Sequence, residues 1–401
     1  MITKKDISFI IPSRTNLKYL KWSYESIRKN GGKEPHICVA DDFSDDGTWS
    51  WCEEIMEKDP NFHAIRNDGP TRLGHTILYD RLINEVAPTK VVGIYHADMY
   101  LCPGALESVL EHLKPLTVVS LTRIEPPLHP DGPEKYLADW GIEPEDFNET
   151  AFLQWFVSPE ADGYKPKHNT PTEGIFAPWF IFKEDFQSIG GHDPLYAPQS
   201  KEDSDIFNRF QLNGYKFVQT WEGCVYHMTC RGSRFNPTIT TVGKETDEWL
   251  KQNQKSTRNF IRKWGHFVKH DSLMKPIVPP KYDIGFVIKN CNIRLLEILE
   301  PWCSTLYCDE KFSMGRVSDY VETEDTSYDL YERIKPLDSK KNNDIIVEFD
   351  ANKLTQYSFN LIQELSNILK ESDVEVGEFE LDIFKFRVST VKTYENELIK
   401  L

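Results

Sequence analysis

Two stretches in which an apolar run gives way to acids are where this sequence could do chemistry. Val91 to Tyr95 is apolar and breaks into His96-Ala97-Asp98 before the turn Pro103-Gly104. Such a run suits a strand buried on both faces. A carboxylate at its C-terminal end stands where open α/β sheets bind ligands. His36 to Ala40 is a similar run, opening into Asp41-Asp42-Phe43-Ser44-Asp45-Asp46-Gly47-Thr48 with four aspartates among eight residues. Ionised carboxylates are strong acceptors, so Asp41 or Asp42 suits a ring N–H and ribose hydroxyls. Asp45 or Asp46 is expected to cap the helix that follows, near the positive end of its dipole.

These acids need a sheet to hold them. Ile7 to Ile11 reads as a first strand ending at Pro12-Ser13-Arg14-Thr15-Asn16. A helix follows, with Leu17, Leu20, Tyr24 and Ile27 at helical spacing and Asn30-Gly31-Gly32 at its end. Strand 36–40, helix 49–58, strand 62–66 and helix 73–86 then lead to the strand that delivers Asp98, and helix 105–113 comes after it. Strands alternating with helices at this interval predict a parallel sheet with right-handed crossovers.

Composition narrows the partners. The chain has 401 residues, room for two domains. Its formal net charge of -16 argues against a partner held by its phosphate backbone, so a nucleic acid is not expected. No run of about 18 apolar residues occurs, so no transmembrane helix is expected. The N-terminal residues lead straight into a strand without a signal-like apolar region. Eight cysteines without tight metal spacing fit reduced thiols in a cytoplasmic protein.

The segments IIPSRTN, VADDFSDDGT and YHADMYLCPGAL together resemble the nucleotide-sugar half of a family 2 glycosyltransferase with the GT-A fold. Downstream, Ser188-Ile189-Gly190-Gly191-His192-Asp193 is similar to that family's IGGFD segment. Lys201-Glu202-Asp203-Ser204-Asp205 is similar to its ED-x-D acceptor segment, and Val225-Tyr226-His227 to its late metal-binding His. The resemblance spans roughly residues 5 to 270 and implies inverting transfer of a sugar from a nucleoside diphosphate. UDP comes before GDP as the family's commoner nucleotide. Mn²⁺ or Mg²⁺ would be held by Asp98 and His227, and Asp203 would take the acceptor's proton. Glu202 and Asp205 are its rivals, although Asp205 lies about 200° around a helix from Asp203. The family's metal motif is Asp-x-Asp, and here its first position is His96. An imidazole is a poorer partner for hard cations, so His96 has two readings, a ligand or a contact to ribose or phosphate.

Other positions are drawn in by the same resemblance. Pro12 and Arg14 would shape the nucleotide pocket, with Ala97 beside it and Glu202 at the substrate. Arg72 would reach the base or phosphate, and Arg231 and Arg234 would clamp the diphosphate or a charged acceptor. Trp179, within APWFIF, would line the acceptor or sugar pocket, while the aromatics of 121–172 suit either sugar stacking or core packing. The processive Gln-x-x-Arg-Trp signature is missing, so one transfer per encounter is expected.

The domains are read as 1–273 and 282–401, joined by a proline-bearing linker over 274–281. The second is expected to be a small α/β domain with a mostly antiparallel sheet and a solvated acidic loop over 319–329. Homo-oligomerisation or acceptor binding are its expected roles. The acceptor is expected to be a glycan, a lipid-linked glycan or a protein hydroxyl. Two alternatives are a nucleotide-sugar binder without transfer, suggested by His96, and a glycosyltransferase acting on a nucleic-acid base. A nucleotidyltransferase would need a Gly-rich basic loop, which Pro12 to Asn16 is not.

Overall fold

The computed structural model describes residues 2–158, 167–230, 245–309, 314–372 and 375–401. The chain divides into two compact units, one of residues 1–251 with 270–276 and one of 252–269 with 277–401.

The strands of the first unit begin with β1 (Ile7–Ser13), β2 (His36–Asp42), β3 (Phe62–Asn67) and β4 (Val91–Ile94). They continue with β5 (Met99–Leu101), β6 (Thr117–Glu125), β7 (Lys135–Leu137), β8 (Trp179–Phe182) and β9 (Lys216–His227). Its helices are α1 (Leu17–Ser26), α2 (Thr48–Lys58), α3 (Gly74–Arg81), α4 (Ala105–His112), α5 (Glu149–Val157), α6 (Lys183–Ser188) and α7 (Glu202–Leu212). Helix α8 (Asp247–Trp264) follows, and its residues from 252 onward group with the second unit.

The sheet runs β3-β2-β1-β4-β8-β6-β9-β5, with β7 beside β6. From β3 to β4 every pairing is parallel, as the alternation of strands and helices predicts. Beyond β4 the sheet is mixed, because β8 runs antiparallel to both β4 and β6. Strand β1 is buried along its whole length. Side chains alternate across a strand, so Ile7, Phe9 and Ile11 join one apolar cluster with Leu20 and Ile27. Ile10 joins the opposite cluster, with Leu78 of α3 and Phe207 and Phe210 of α7.

In the second unit the strands are β10 (Ile284–Lys289), β11 (Thr305–Cys308), β12 (Ile334–Pro336), β13 (Ile345–Asp350), β14 (Gly377–Leu381) and β15 (Phe384–Val388). Their order is β12-β11-β10-β13-β15-β14. Only the pairings of β15, with β13 and β14, are antiparallel, which corrects the expectation of a mostly antiparallel sheet. Strands β14 and β15 make a hairpin turning at Asp382, where φ is 52°. The acidic stretch expected as a loop is helical as far as Glu324, within α10 (Met314–Glu324), because Val317 and Tyr320 are buried in the core and override its surface charge.

This core holds a buried ion network. Glu300 Oε2 accepts from Arg262 at 2.7 Å and from the Tyr320 hydroxyl at 3.0 Å, and its Oε1 accepts from Arg333 at 2.5 Å. The side chains of Arg262 and Glu300 are fully buried. Breaking such a pair strands a charge at a cost of about 3–5 kcal/mol. Glu300→Gln is therefore expected to lower the stability of this unit by that amount in chemical denaturation of the full chain. A loss below about 1 kcal/mol would mean the network contributes no more than a surface pair.

Candidate active site

The C-terminal ends of the central strands enclose a cleft of about 330 Å³, lined among others by Pro12, His96, Ala97, Asp98 and His227. Its floor follows from strand register. In the antiparallel pair β5–β9, Met99 stands opposite His227, and the Met228 N–H donates to the Asp98 carbonyl at 3.1 Å. The parallel pair β6–β9 sets Ile124 beside Tyr226, so Glu125 comes level with His227. The imidazole lies between two carboxylates. Its Nδ1 is 2.7 Å from Glu125 Oε1, and its Nε2 is 3.4 Å from Asp98 Oδ1.

His96, Asp98 and His227 each offer a ligand atom, all within 4.8 Å of one another, and form the one such group among the described residues. Electrostatics prepares each differently. Burial, and then the neighbouring His227, pushes His96 down to about 3, leaving the neutral imidazole that a metal requires. Burial disfavours the charged form of Asp98 and of His227 alike. Their mutual attraction outweighs it, holding Asp98 below the ordinary carboxylate range and raising His227 to about 9. Glu125, also buried, is held well below the ordinary range by Arg123, His227 and Lys135, with Lys135 Nζ 2.9 Å away. The donor set of two imidazoles and one carboxylate fits a divalent transition metal better than Mg²⁺, which favours oxygen ligands.

The two neighbouring aspartates of the second loop do different work. Asp42 is buried, and its carboxylate accepts from Asn67 Nδ2 at 2.6 Å, Leu73 N at 3.1 Å and Gly74 N at 2.8 Å. Bonds to a charged acceptor are worth about 1.5–3 kcal/mol each. Asp42 thus clamps the start of α3. Asp41 is buried at the end of β2. Its Oδ1 accepts from Ser44 N at 3.0 Å, and its Oδ2 has no hydrogen-bond partner among the described residues, with Arg66 Nε 3.3 Å away. Asp46, one residue before the Gly47 N-cap of α2, accepts from the Thr48 N–H at 3.2 Å.

Helix α3 carries lining residues that sequence reading missed. His75 and Tyr79, one helical turn apart, both border the cleft. Burial, and then Arg72, pushes His75 down to about 4. A side chain at Gly74 would meet the Pro198 carbonyl at 2.1 Å, so its absence lets α3 pack against the chain entering α7. Arg123, Glu125, His129, Lys135 and Cys230 also line the cleft, and Cys230 Sγ lies 3.2 Å from His129 Nε2. Glu125 ends an apolar strand just as Asp98 follows one, a signal that could have flagged it.

At the start of α7 the three acids separate. Asp205 is fully buried and accepts from Arg209 Nε at 2.8 Å and from the Tyr196 hydroxyl at 3.3 Å, a structural role. Glu202 is buried, and its Oε2 has no hydrogen-bond partner among the described residues. Burial, with the adjacent Asp203 charge, pushes Glu202 up to about 7, and burial raises Asp203 as well. Both acids, with Asp98, act electrostatically on the cleft residue Tyr79.

The remaining expected contacts scatter. Trp179 is fully buried against Phe186, Phe207 and Phe210, a core residue and no pocket wall. The correction has a plain cause. Strand β8 is central and covered on both faces, so an indole there has no route to solvent. Arg14 is exposed and lies over the Phe43 ring at 4.6 Å. Arg72 donates to Gln199 Oε1 at 2.9 Å. Arg231 and Arg234 lie outside the described residues. The aromatics Phe152, Trp140, Trp155 and Phe156 pack in one core cluster.

Residues 8–165 match the model described as glycosyl transferase family 2. This stretch is similar to glycosyl transferase family 2 domains. It contains β1, from its second residue, to β7 and the His96–Asp98 turn, while His227 and the α7 acids lie beyond it. No curated protein matches the chain in sequence. Among similar solved structures is GalNAc-T7 with UDP, GalNAc and Mn²⁺. It is 14% identical over 64% of this chain and 48% of its own, with a TM-score of 0.45. TarS of S. aureus is 14% identical over 55% of this chain and 60% of its own, with a TM-score of 0.40. The mannosyltransferase PcManGT of Pyrobaculum calidifontis, with GDP-Man and Mn²⁺, is 15% identical over 68% of each chain, with a TM-score of 0.43. The chain thus spans about half the length of the first of these and three-fifths of the second. None of its described helices is long and apolar enough to cross a membrane.

Proposed function

We propose that this chain is a metal-dependent, inverting glycosyltransferase. It transfers one sugar per encounter from a nucleoside-diphosphate sugar, UDP-sugars first, to a hydroxyl of a glycan-type acceptor. The observation that carries this reading is the His96–Asp98–His227 group at a strand end inside the cleft. These three residues would hold the cation, with Glu125 fixing the orientation of His227 through Nδ1. A divalent cation there supplies Lewis-acid stabilisation of the departing diphosphate. Asp203 takes the proton from the acceptor hydroxyl as its oxygen bonds to the anomeric carbon and the carbon–oxygen bond to phosphate breaks.

The test is nucleoside diphosphate release from UDP- and GDP-sugars. Turnover is expected to vanish with chelator and to return with Mn²⁺ at a rate at least about tenfold above that with Mg²⁺, following the imidazole-rich donor set. His96→Asp, which adds a hard oxygen ligand, is expected to narrow that ratio by favouring Mg²⁺. Equal rates with both ions in the native enzyme and in the variant would remove His96 from the metal's shell. Full turnover in chelator would sink the metal-dependent reading itself.

A further inference from the structure

Behind the candidate metal ligands lie two cations, Arg123 near the end of β6 and Lys135 at the start of β7. The two strands pair in parallel, with Arg123 beside Lys135 and Glu125 beside Leu137. Residues two apart on a strand share a face, which puts Arg123 and Glu125 on one side of β6. Glu125 is 2% exposed and Lys135 6%. Glu125 Oε2 accepts from Lys135 Nζ at 2.9 Å. Its Oε1 lies 2.7 Å from His227 Nδ1 and 3.4 Å from Arg123 Nε. Arg123 is held in turn by Glu134, whose Oε1 accepts from its guanidinium at 2.7 Å, and it lies over the Phe176 ring at 5.0 Å. A side chain at Gly132 would meet Glu134 Oε2 at 2.3 Å, so the approach to β7 leaves room for that carboxylate.

Lys135, Glu125 and His227 thus form an unbroken relay that ends at Asp98 Oδ1, 3.4 Å from His227 Nε2. Stability alone does not account for it, because a buried ion pair is often no better than apolar residues of similar volume. Orientation does. A carboxylate oxygen only accepts, so His227 keeps a proton on Nδ1, and Nε2 is the nitrogen left to give a lone pair to a cation. Glu125 could turn away from the imidazole if its second oxygen were free. Lys135 removes that freedom, fixing Oε2 from a strand that carries none of the three ligands.

We propose that Lys135, acting through Glu125, is a positioning residue for the metal ligand His227. It holds the carboxylate that holds the imidazole, so β7 sets the metal affinity of the site from outside the ligand group. The inference rests on the His96–Asp98–His227 group binding the cation.

The experiment is calorimetric titration of the full chain with Mn²⁺ alone, without donor or acceptor, alongside Tm measured in chelator. Removing the partner behind a metal-ligating His costs about 10–100-fold in metal affinity. Glu125→Leu combined with Lys135→Met removes both charges of the pair together and should weaken Mn²⁺ binding by that factor. Lys135→Met alone should weaken it in the same direction, and Lys135→Arg, which keeps a cation opposite Oε2, should bind more tightly than Lys135→Met. A merely structural pair would lower Tm and leave Mn²⁺ affinity where it was. Native Mn²⁺ affinity in the folded double variant and in Lys135→Met therefore overturns the proposal. Lys135→Met decides the matter if the double variant fails to fold. Lost turnover with native Mn²⁺ affinity in Lys135→Met also overturns it, because Lys135 would then meet the substrate itself. If Asp98→Asn binds Mn²⁺ as the native chain does, the metal reading fails and this inference with it. If Asp98→Asn loses Mn²⁺ while the Lys135 and Glu125 variants keep it, only the relay fails.

Discussion

Asp98→Asn is expected to lower turnover about 10³-fold or more, the largest effect in the molecule, with parallel loss of Mn²⁺ binding by calorimetry. Asp98 is the single carboxylate in the three-residue group, so its removal leaves two imidazoles and no negative ligand. Lewis-acid stabilisation by a bound cation is worth several kcal/mol, and about 4 kcal/mol is about a thousandfold in rate. The fold should survive, because Asn keeps the volume and the backbone bond from Met228 N to the residue 98 carbonyl is untouched. Its Oδ1 also remains able to accept from His227. Turnover within tenfold of the native enzyme would mean that the cation, if needed at all, is held elsewhere.

Asp203→Asn is expected to reduce kcat by about 10²–10⁴, the span of general-base catalysis, while donor and Mn²⁺ affinities stay close to native. This split separates the two acids, since Asp98 acts on the metal and Asp203 on the acceptor. The pH dependence follows from the environment. Burial raises Asp203, and Glu202 beside it is pushed up to about 7, first by burial and then by the Asp203 charge. The base works only when ionised, so kcat/KM should rise with pH along an acid limb above the ordinary carboxylate range. The two carboxyls titrate as a pair, so this limb belongs to both. A native profile flat from pH 4 upward would contradict the raised proton affinity of this pair. Unchanged kcat in the Asn variant would pass the role of base to Glu202.

Much of the first unit was legible in the chain. Strands β1, β2 and β4 are short apolar runs ended by polar turns, and burial on both faces of a parallel sheet demands that pattern. Asp98 and Asp41 were visible for the same reason, since each stands at the end of such a run. The second unit was harder to read. A helix such as α10 carries acids on its outer face, and local charge then masks the buried Val317 and Tyr320. The direction of each strand in its sheet depends on pairing partners that lie far along the chain.

By itself the sequence determined the residue types at strand ends, the order of the elements and the imidazole standing where a carboxylate was expected. Those are local properties, set by hydrophobic period and turn chemistry. Only the tertiary structure decided which acids are free to react. Asp42, Asp41, Glu202, Asp203 and Asp205 look alike in a string of letters. Asp42 is held by three donors at the start of α3, and Asp205 is consumed by Arg209, while the buried Glu202 and the half-buried Asp203 keep a raised proton affinity. Trp179 was decided the same way, by the burial of β8. The register of β9 between β5 and β6 brought Glu125 and Asp98 to opposite edges of one imidazole, and residues about a hundred positions apart meet there only because the sheet is folded.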